Sequence, residues 1–331
     1  MAPRNHALTS TESKWSRLRL RRTPHLRDLV SETTFSAAQL IQPVFVVEGL
    51  SGSDLISGLG DNARHGIASA LDSIARDVDA GVRHFLLFPV PAHKRERDLD
   101  TRHVAESVRA IKARFGDALH LWVDICLCSF TTHGHCAILD AQGDIDLGPT
   151  LASLSASAVA AAAAGADGVS PSDMMDGRVA AIRAGLDESG HGRVPMMSYS
   201  AKFASQFYGP FRAAADSSPQ HGNRRHYQID VRSRRDAIGS SVRCAHEGAD
   251  LLMVKPAMTS LDLIGSIIDA TGLPVGAYQT SGEYAGLIAL EERGFANFDA
   301  ALLETLHVLR RGGAAFIVTY GARRARALGL A

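Results

Sequence analysis

Eight short apolar runs, each separated from the next by a stretch of helical periodicity, restrict the folds open to this chain more than any other feature. The runs are Pro43–Val47, His84–Val90, Leu119–Ile125, Asp167–Ser170, Val194–Tyr199, Leu251–Lys255, Val275–Gln279 and Ala315–Tyr320. Helical patterning fills the intervals, as in Asp72–Ala80, Val104–Arg114, Leu151–Ala164, Arg178–Leu186, Arg235–Glu247 and Leu261–Ala270. A short, near-continuous apolar run reads as a strand covered on both faces, which is how parallel strands under helices read. Gly81, Gly165, Gly248 and Gly313 stand just ahead of a run, where a helix stops in a left-handed turn. The Ala-rich stretch Ala156–Ala164 fits a helix packed closely on a barrel. Eight such units in series predict one closed (β/α)8 barrel of the TIM type, which takes about 250 residues. The chain has 331, so residues 1–35 are read as an extended N-terminal arm and 36–331 as the barrel. The rival is a doubly wound open sheet, and no G-x-G-x-x-G follows a strand to support it.

Composition then removes several classes of partner. The formal net charge is +0, which gives no field to gather nucleic acid or an anionic membrane. Arg17, Arg19, Arg21, Arg22 and Arg27 make the arm locally basic. No aromatic platform or recognition helix follows them, so packing on a neighbouring subunit is the expected use, not nucleic-acid binding. Met1–Ser13 is polar and reads as disordered. No run of about eighteen apolar residues is present, so no membrane span is expected. The N-terminus lacks the apolar core of a secretory signal, and Glu12 argues against a transit peptide, which leaves a cytoplasmic location.

In a barrel of this kind the active site lies at the C-terminal ends of the strands. Asp124 stands there at the end of the third run with Cys126 and Cys128 just beyond it, Ser172 and Asp173 after the fourth, Lys202 after the fifth and Lys255 at the end of the sixth. Ser281 follows the seventh, and Tyr320 ends the eighth. Lysine is scarce: of 35 basic residues only Lys14, Lys94, Lys112, Lys202 and Lys255 are Lys. Lys202 and Lys255 are flanked by apolar residues that exclude water. Desolvation and a second nearby ammonium both lower a lysine pKa, giving a free amine that attacks ketones. A buried ion pair is the plainer reading of either lysine. Cys126, Cys128 and Cys136 fall within eleven residues, and three thiolates on one loop can hold Zn²⁺ and leave a fourth position open. The alternatives are buried apolar cysteines, or His135 in place of one Cys. Cys244 sits alone on a helix and reads as packing. Arg212 precedes a Gly-, Ser- and Pro-rich loop, Asp216–Arg225, that carries Arg224, and the two could fork a carboxylate; Arg225 reads as a solvated surface charge.

These residues resemble one family, the porphobilinogen synthases (5-aminolevulinate dehydratases). The likeness lies in Asp124–Cys136 (DICLCSFTTHGHC), Ser170–Arg183 (SPSDMMDGRVAAIR), Val194–Ala215 (VPMMSYSAKFASQFYGPFRAAA), Glu247–Ala257 (EGADLLMVKPA) and Ala277–Ala285 (AYQTSGEYA). It runs from about Arg17 to the C-terminus. It implies a lyase that joins two 5-aminolevulinate molecules into porphobilinogen for tetrapyrrole and haem biosynthesis. Lys255 would bind the first substrate and Lys202 the second, each as a Schiff base. Cys126, Cys128 and Cys136 would hold a catalytic zinc. Arg212, Arg224 and Gln228 would take the second carboxylate, Ser281 and Tyr320 the first, while Asp124 and Ser172 would serve the first amine and the proton transfers. The family also implies an octamer whose arms embrace neighbouring subunits.

The chain departs from the family pattern at Ala137, usually Gly, at Asn223, usually Asp, and in the charged stretch Pro91–Arg102 and the stretch Leu147–Leu151. Ser240 stands where many bacterial members place a Glu for an allosteric Mg²⁺, so that site is expected to be absent. Three other readings compete: a paralogue acting on another amino-ketone, a non-catalytic zinc-binding relative, and a one-lysine aldolase. Two lysines, two arginines and three cysteines weigh against the last two, and little against the first.

Overall fold

The structure, a computed structural model, describes residues 16–331. The disorder read for Met1–Ser13 lies outside the described residues. Ser16–Thr34 belongs to a unit of its own, with short helices α1 (Ser16–Arg19) and α2 (Pro24–Leu29). The Thr23 hydroxyl accepts from Leu26 N at 3.2 Å, and Pro24 takes the first helical position, where its missing N–H has no partner to lose.

Phe35–Ala331 forms the second unit. Its strands are β1 (Leu40–Val47), β2 (Ser53–Leu55), β3 (Ala63–His65), β4 (His84–Val90), β5 (His120–Ile125), β6 (Gly168–Pro171), β7 (Met197–Lys202), β8 (Leu251–Lys255), β9 (Val275–Tyr278) and β10 (Ile317–Val318). Eight of them lie in the order β6-β5-β4-β1-β10-β9-β8-β7. The remaining seam is closed by a parallel bridge between Val169 and Met196 and by Ser170 Oγ, which donates to Met197 O at 2.7 Å. The predicted (β/α)8 barrel is what forms.

Helices α3 (Ile67–Asp79), α4 (Arg102–Phe115), α5 (Leu147–Ala163), α6 (Arg178–Glu188), α7 (Gly209–Ala214), α8 (Arg234–His246), α9 (Leu261–Thr271), α10 (Ser281–Glu292) and α11 (Phe298–Arg311) complete the units. The strands are buried on both faces: Phe85–Val90 and Leu252–Lys255 are buried without interruption. The helices bury a stripe instead, as α4 does with Val104, Val108 and Ile111. In α5 the stripe is Leu154, Ala158 and Ala161, small enough that Ser155 Oγ reaches Ala181 O on α6 at 3.1 Å. Gly165 and Gly248, at φ 101° and 100°, make the stops that the sequence placed there.

Two differences from the sequence reading matter. The hairpin β2–β3 was not foreseen, because three-residue strands carry no periodicity; β3 attaches to β1 at Phe45 and Val46. The fifth barrel strand runs Met197–Lys202 where Val194–Tyr199 was expected, which bears directly on the site.

Candidate active site

Lys202 and Lys255 are the last residues of β7 and β8, and they are cross-strand partners. The pairing depends on a bulge. Met197 and Ser198 pair with Leu251 and Leu252, but Ala201 and Lys202 pair with Val254 and Lys255, so β7 carries one extra residue between. A run that ends at Tyr199 hides this, since Ser200 interrupts the apolar pattern.

Both lysines are buried, with 6% and 3% of their surface exposed. The Lys255 ammonium nitrogen lies 3.8 Å from the Tyr278 ring centre, 4.8 Å from Phe211 and 4.9 Å from Tyr199. Lys202 Nζ is 5.6 Å from the same Tyr199 ring and donates to the Ser172 carbonyl. Burial first, and the Lys202 charge second, hold the Lys255 amine well below the ordinary lysine range.

The loop after β5 brings Cys126, Cys128 and Cys136 together. All three are buried, their sulfurs lie within 4.8 Å of one another, and Cys126 Sγ is 3.4 Å from Cys128 Sγ. Hydrogen bonds from its two neighbours, with help from the Arg224 and Lys202 charges, pull Cys128 well below the usual thiol range, while Cys126 is pushed up. Such a set offers one ready thiolate and two thiols that a cation can deprotonate. Asp124, on β5 two residues before Cys126, is pushed up to about 7 by burial, an effect that the Lys202 charge partly offsets.

The segment after α7 folds over the cysteine loop. Arg224 Nη2 donates to Gly134 O at 2.9 Å and also to Ser217 O, and Gln220 N donates to His133 O at 3.0 Å. His135 Nε2 donates to His221 O at 3.0 Å, which leaves Nδ1 to accept from the Tyr227 hydroxyl at 3.1 Å. The two segments meet so closely that a Cβ on Gly134, at φ +71°, would lie 2.4 Å from Ser218 O. Gly134, His135 and Tyr227 were not singled out as supports from the sequence. Gly134 and His135 are signalled only by their place inside the shared motif Asp124–Cys136, and Tyr227 stands outside every such motif.

Seven of the residues read from the sequence line one cavity of about 20 Å³: Asp124, Cys126, Cys128, Ser172, Lys202, Arg224 and Lys255. Cys136 joins them through its sulfur. Ser281 and Tyr320 reach the Lys255 side indirectly. Ser281 Oγ accepts from Phe211 N at 3.0 Å, and the Tyr320 hydroxyl lies 3.5 Å from that of Tyr278. Arg212 is half-buried on α7 and does not line this cavity. Gln228 lines a separate, outer cavity of about 660 Å³, with both amide atoms buried and unpartnered. Cys244 is buried on α8 against the Arg178 guanidinium, as packing requires. Among the described residues no helix is long and apolar enough to cross a membrane.

The family described as Delta-aminolevulinic acid dehydratase matches residues 15–328. The protein of that name from Halalkalibacterium halodurans is 41% identical over 309 residues, covering 92% of this chain and 94% of its own. That from Helicobacter pylori is 39% identical over 310 residues, covering 92% and 95%. A crystal structure of the Toxoplasma gondii enzyme, in complex with the reaction product porphobilinogen, aligns with a TM-score of 0.90 at 36% identity, covering 93% of this chain and 90% of that one.

Proposed function

The chain belongs to the delta-aminolevulinic acid dehydratase family, and on that premise we propose that it is a porphobilinogen synthase that condenses two 5-aminolevulinate molecules with loss of two waters. The observation that carries this reading is the pair of buried lysines standing opposite each other beside three gathered thiols.

In this mechanism the uncharged Lys255 amine attacks the ketone of the first substrate, and a water leaves as the imine forms. Lys202 does the same for the second. Each protonated imine draws electrons, so a carbon–carbon bond can form at the adjacent carbon. Holding both substrates on neighbouring strand ends replaces an encounter in solution, which contributes roughly 7–11 kcal/mol. Asp124, poised near neutrality, and Ser172 position the first amine and move protons. Arg212, Arg224 and Gln228 take the second carboxylate; Arg212 Nε, Arg224 Nε and the Gln228 amide are all buried without partners. Ser281 and Tyr320 take the first. A cavity of about 20 Å³ holds one water and no keto acid, so Phe211 and the segment carrying Arg224 withdraw when substrate enters.

Three buried sulfurs within 4.8 Å suit zinc, whose catalytic sites hold three protein donors and an open position. Zinc, when bound by Cys126, Cys128 and Cys136, supplies Lewis acidity toward the second substrate. Ser240 offers no carboxylate, so no allosteric Mg²⁺ is held there. The assembly is an octamer in the cytoplasm, each arm (residues 1–35) packing on a neighbour.

The test is purified protein with 5-aminolevulinate, scored for a pyrrole by its colour reaction. Activity should appear, a zinc chelator should abolish it, and Lys255→Ala should remove it completely. No pyrrole from folded, zinc-loaded protein refutes the substrate and points to another amino-ketone.

A further inference from the structure

We propose that Arg178, which does not line the lysine cavity, is a positioning residue that locks the β7 bulge and so keeps Lys202 opposite Lys255. This rests on the two-lysine reading above.

The register makes the bulge decisive. Were β7 to continue in the register of Met197 and Ser198, Ala201 would stand opposite Lys255 and Lys202 opposite Pro256. Side chains alternate along a strand, so a slip of one residue also turns them to the opposite face. The extra residue, placed between Ser198 and Ala201, is what sets the two amines side by side. Such an insertion disrupts the ladder locally, and something must hold the displaced backbone.

Arg178, the first residue of α6, reaches that stretch. Its Nη2 donates to Tyr199 O at 3.2 Å and lies 3.5 Å from Ser198 Oγ; Nη1 donates to Met175 O at 3.0 Å. Its Nε lies 3.6 Å from Asp173 Oδ2. The guanidinium is 1% exposed and Asp173 fully buried. A buried ion pair is seldom worth its desolvation as stability alone, and apolar side chains would fill the space at less cost. Here the guanidinium joins two backbones that must stay in fixed relation. On one side is Asp173, next to the Ser172 carbonyl on which Lys202 Nζ rests; on the other is the bulge that delivers Lys202. The Ser241 hydroxyl of α8 donates to Ser200 Oγ at 2.9 Å, holding the second bulged residue.

The experiment is borohydride trapping of imines formed with 5-aminolevulinate, quantified separately at Lys202 and Lys255 by peptide mass mapping. It compares zinc-loaded wild type with Arg178→Met and Arg178→Lys, the latter keeping charge and bulk where Met prevents folding. Wild type should be trapped at both lysines. The variants should lose roughly tenfold to a hundredfold in trapping rate at Lys202, the scale of a misplacement near 1 Å, with Lys255 within about twofold of wild type, because β8 holds it independently. A merely structural arginine would lower both sites together. Equal loss at both lysines in folded variants, or wild-type trapping at Lys202, overturns the proposal. Absence of trapping at either lysine in wild type instead overturns the Schiff-base reading beneath it.

Discussion

Replacing Lys255 with Met should abolish pyrrole formation and at the same time make the protein harder to unfold. Met keeps the length of the side chain, so the rings of Tyr278, Phe211, Tyr199 and Tyr208, at 3.8, 4.8, 4.9 and 5.4 Å from Nζ, keep their packing. What disappears is an amine that burial and the Lys202 charge hold well below its usual range. An unfolded lysine titrates near 10.4, and one whose pKa is depressed by folding costs stability at every lower pH, by about 1.36 kcal/mol per pH unit, until the folded amine itself protonates. The buried amine therefore costs stability at neutral pH, by an amount that falls by about 1.36 kcal/mol with each unit of rising pH and vanishes once the unfolded lysine is itself neutral. The Met variant escapes that cost. Denaturant unfolding of both proteins, at equal zinc occupancy, should show the variant more stable at pH 7, the gap shrinking by about 1.36 kcal/mol per unit as the pH rises toward 10. A variant that is no more stable at pH 7, or a gap that does not change with pH, would contradict the reasoning.

Gly134→Ala forces a left-handed residue against Ser218 O, so it should lower stability by at least about 1 kcal/mol and speed zinc loss to a chelator; unchanged zinc retention would show that the two segments give way freely. Asp124 is pushed up to about 7, so the single-turnover rate should rise with pH through neutrality as the carboxyl ionises and can accept a proton. Asp124→Asn should remove that limb and slow turnover by roughly 10²–10⁴-fold; a limb that persists in the variant assigns it elsewhere. Arg224→Lys cannot reach both Gly134 O and Ser217 O with one ammonium on a flexible stem, so it should raise KM more than it lowers kcat, and an unchanged KM counts against a carboxylate role.

The barrel was legible because eight buried parallel strands leave eight short, largely apolar runs, and the convergence of Asp124, Cys126, Ser172 and Lys255 followed from their standing at strand ends. Lys202 was legible as a lysine but not as a strand residue, because the bulge at Tyr199 and Ser200 breaks the pattern by which strands are read. The β2–β3 hairpin left no trace in Ser53–Leu55, three exposed residues. Arg178 was hidden for a different reason. A charged residue at a helix start reads as solvent-facing, and only the tertiary placement of the α6 start beside Tyr199 O and Asp173 turns it inward. Gln228 was read through resemblance alone; it lines the outer cavity with its amide buried and unpartnered, an environment that local pattern does not encode.

In the proposed mechanism two amines in one dry cavity each capture a molecule of substrate. The most direct test of that mechanism is peptide mapping of wild-type protein after reduction with isotopically labelled 5-aminolevulinate. Label should appear on Lys202 and Lys255 and on none of Lys14, Lys94 and Lys112. Label on a single lysine, or spread over all five, would contradict the account.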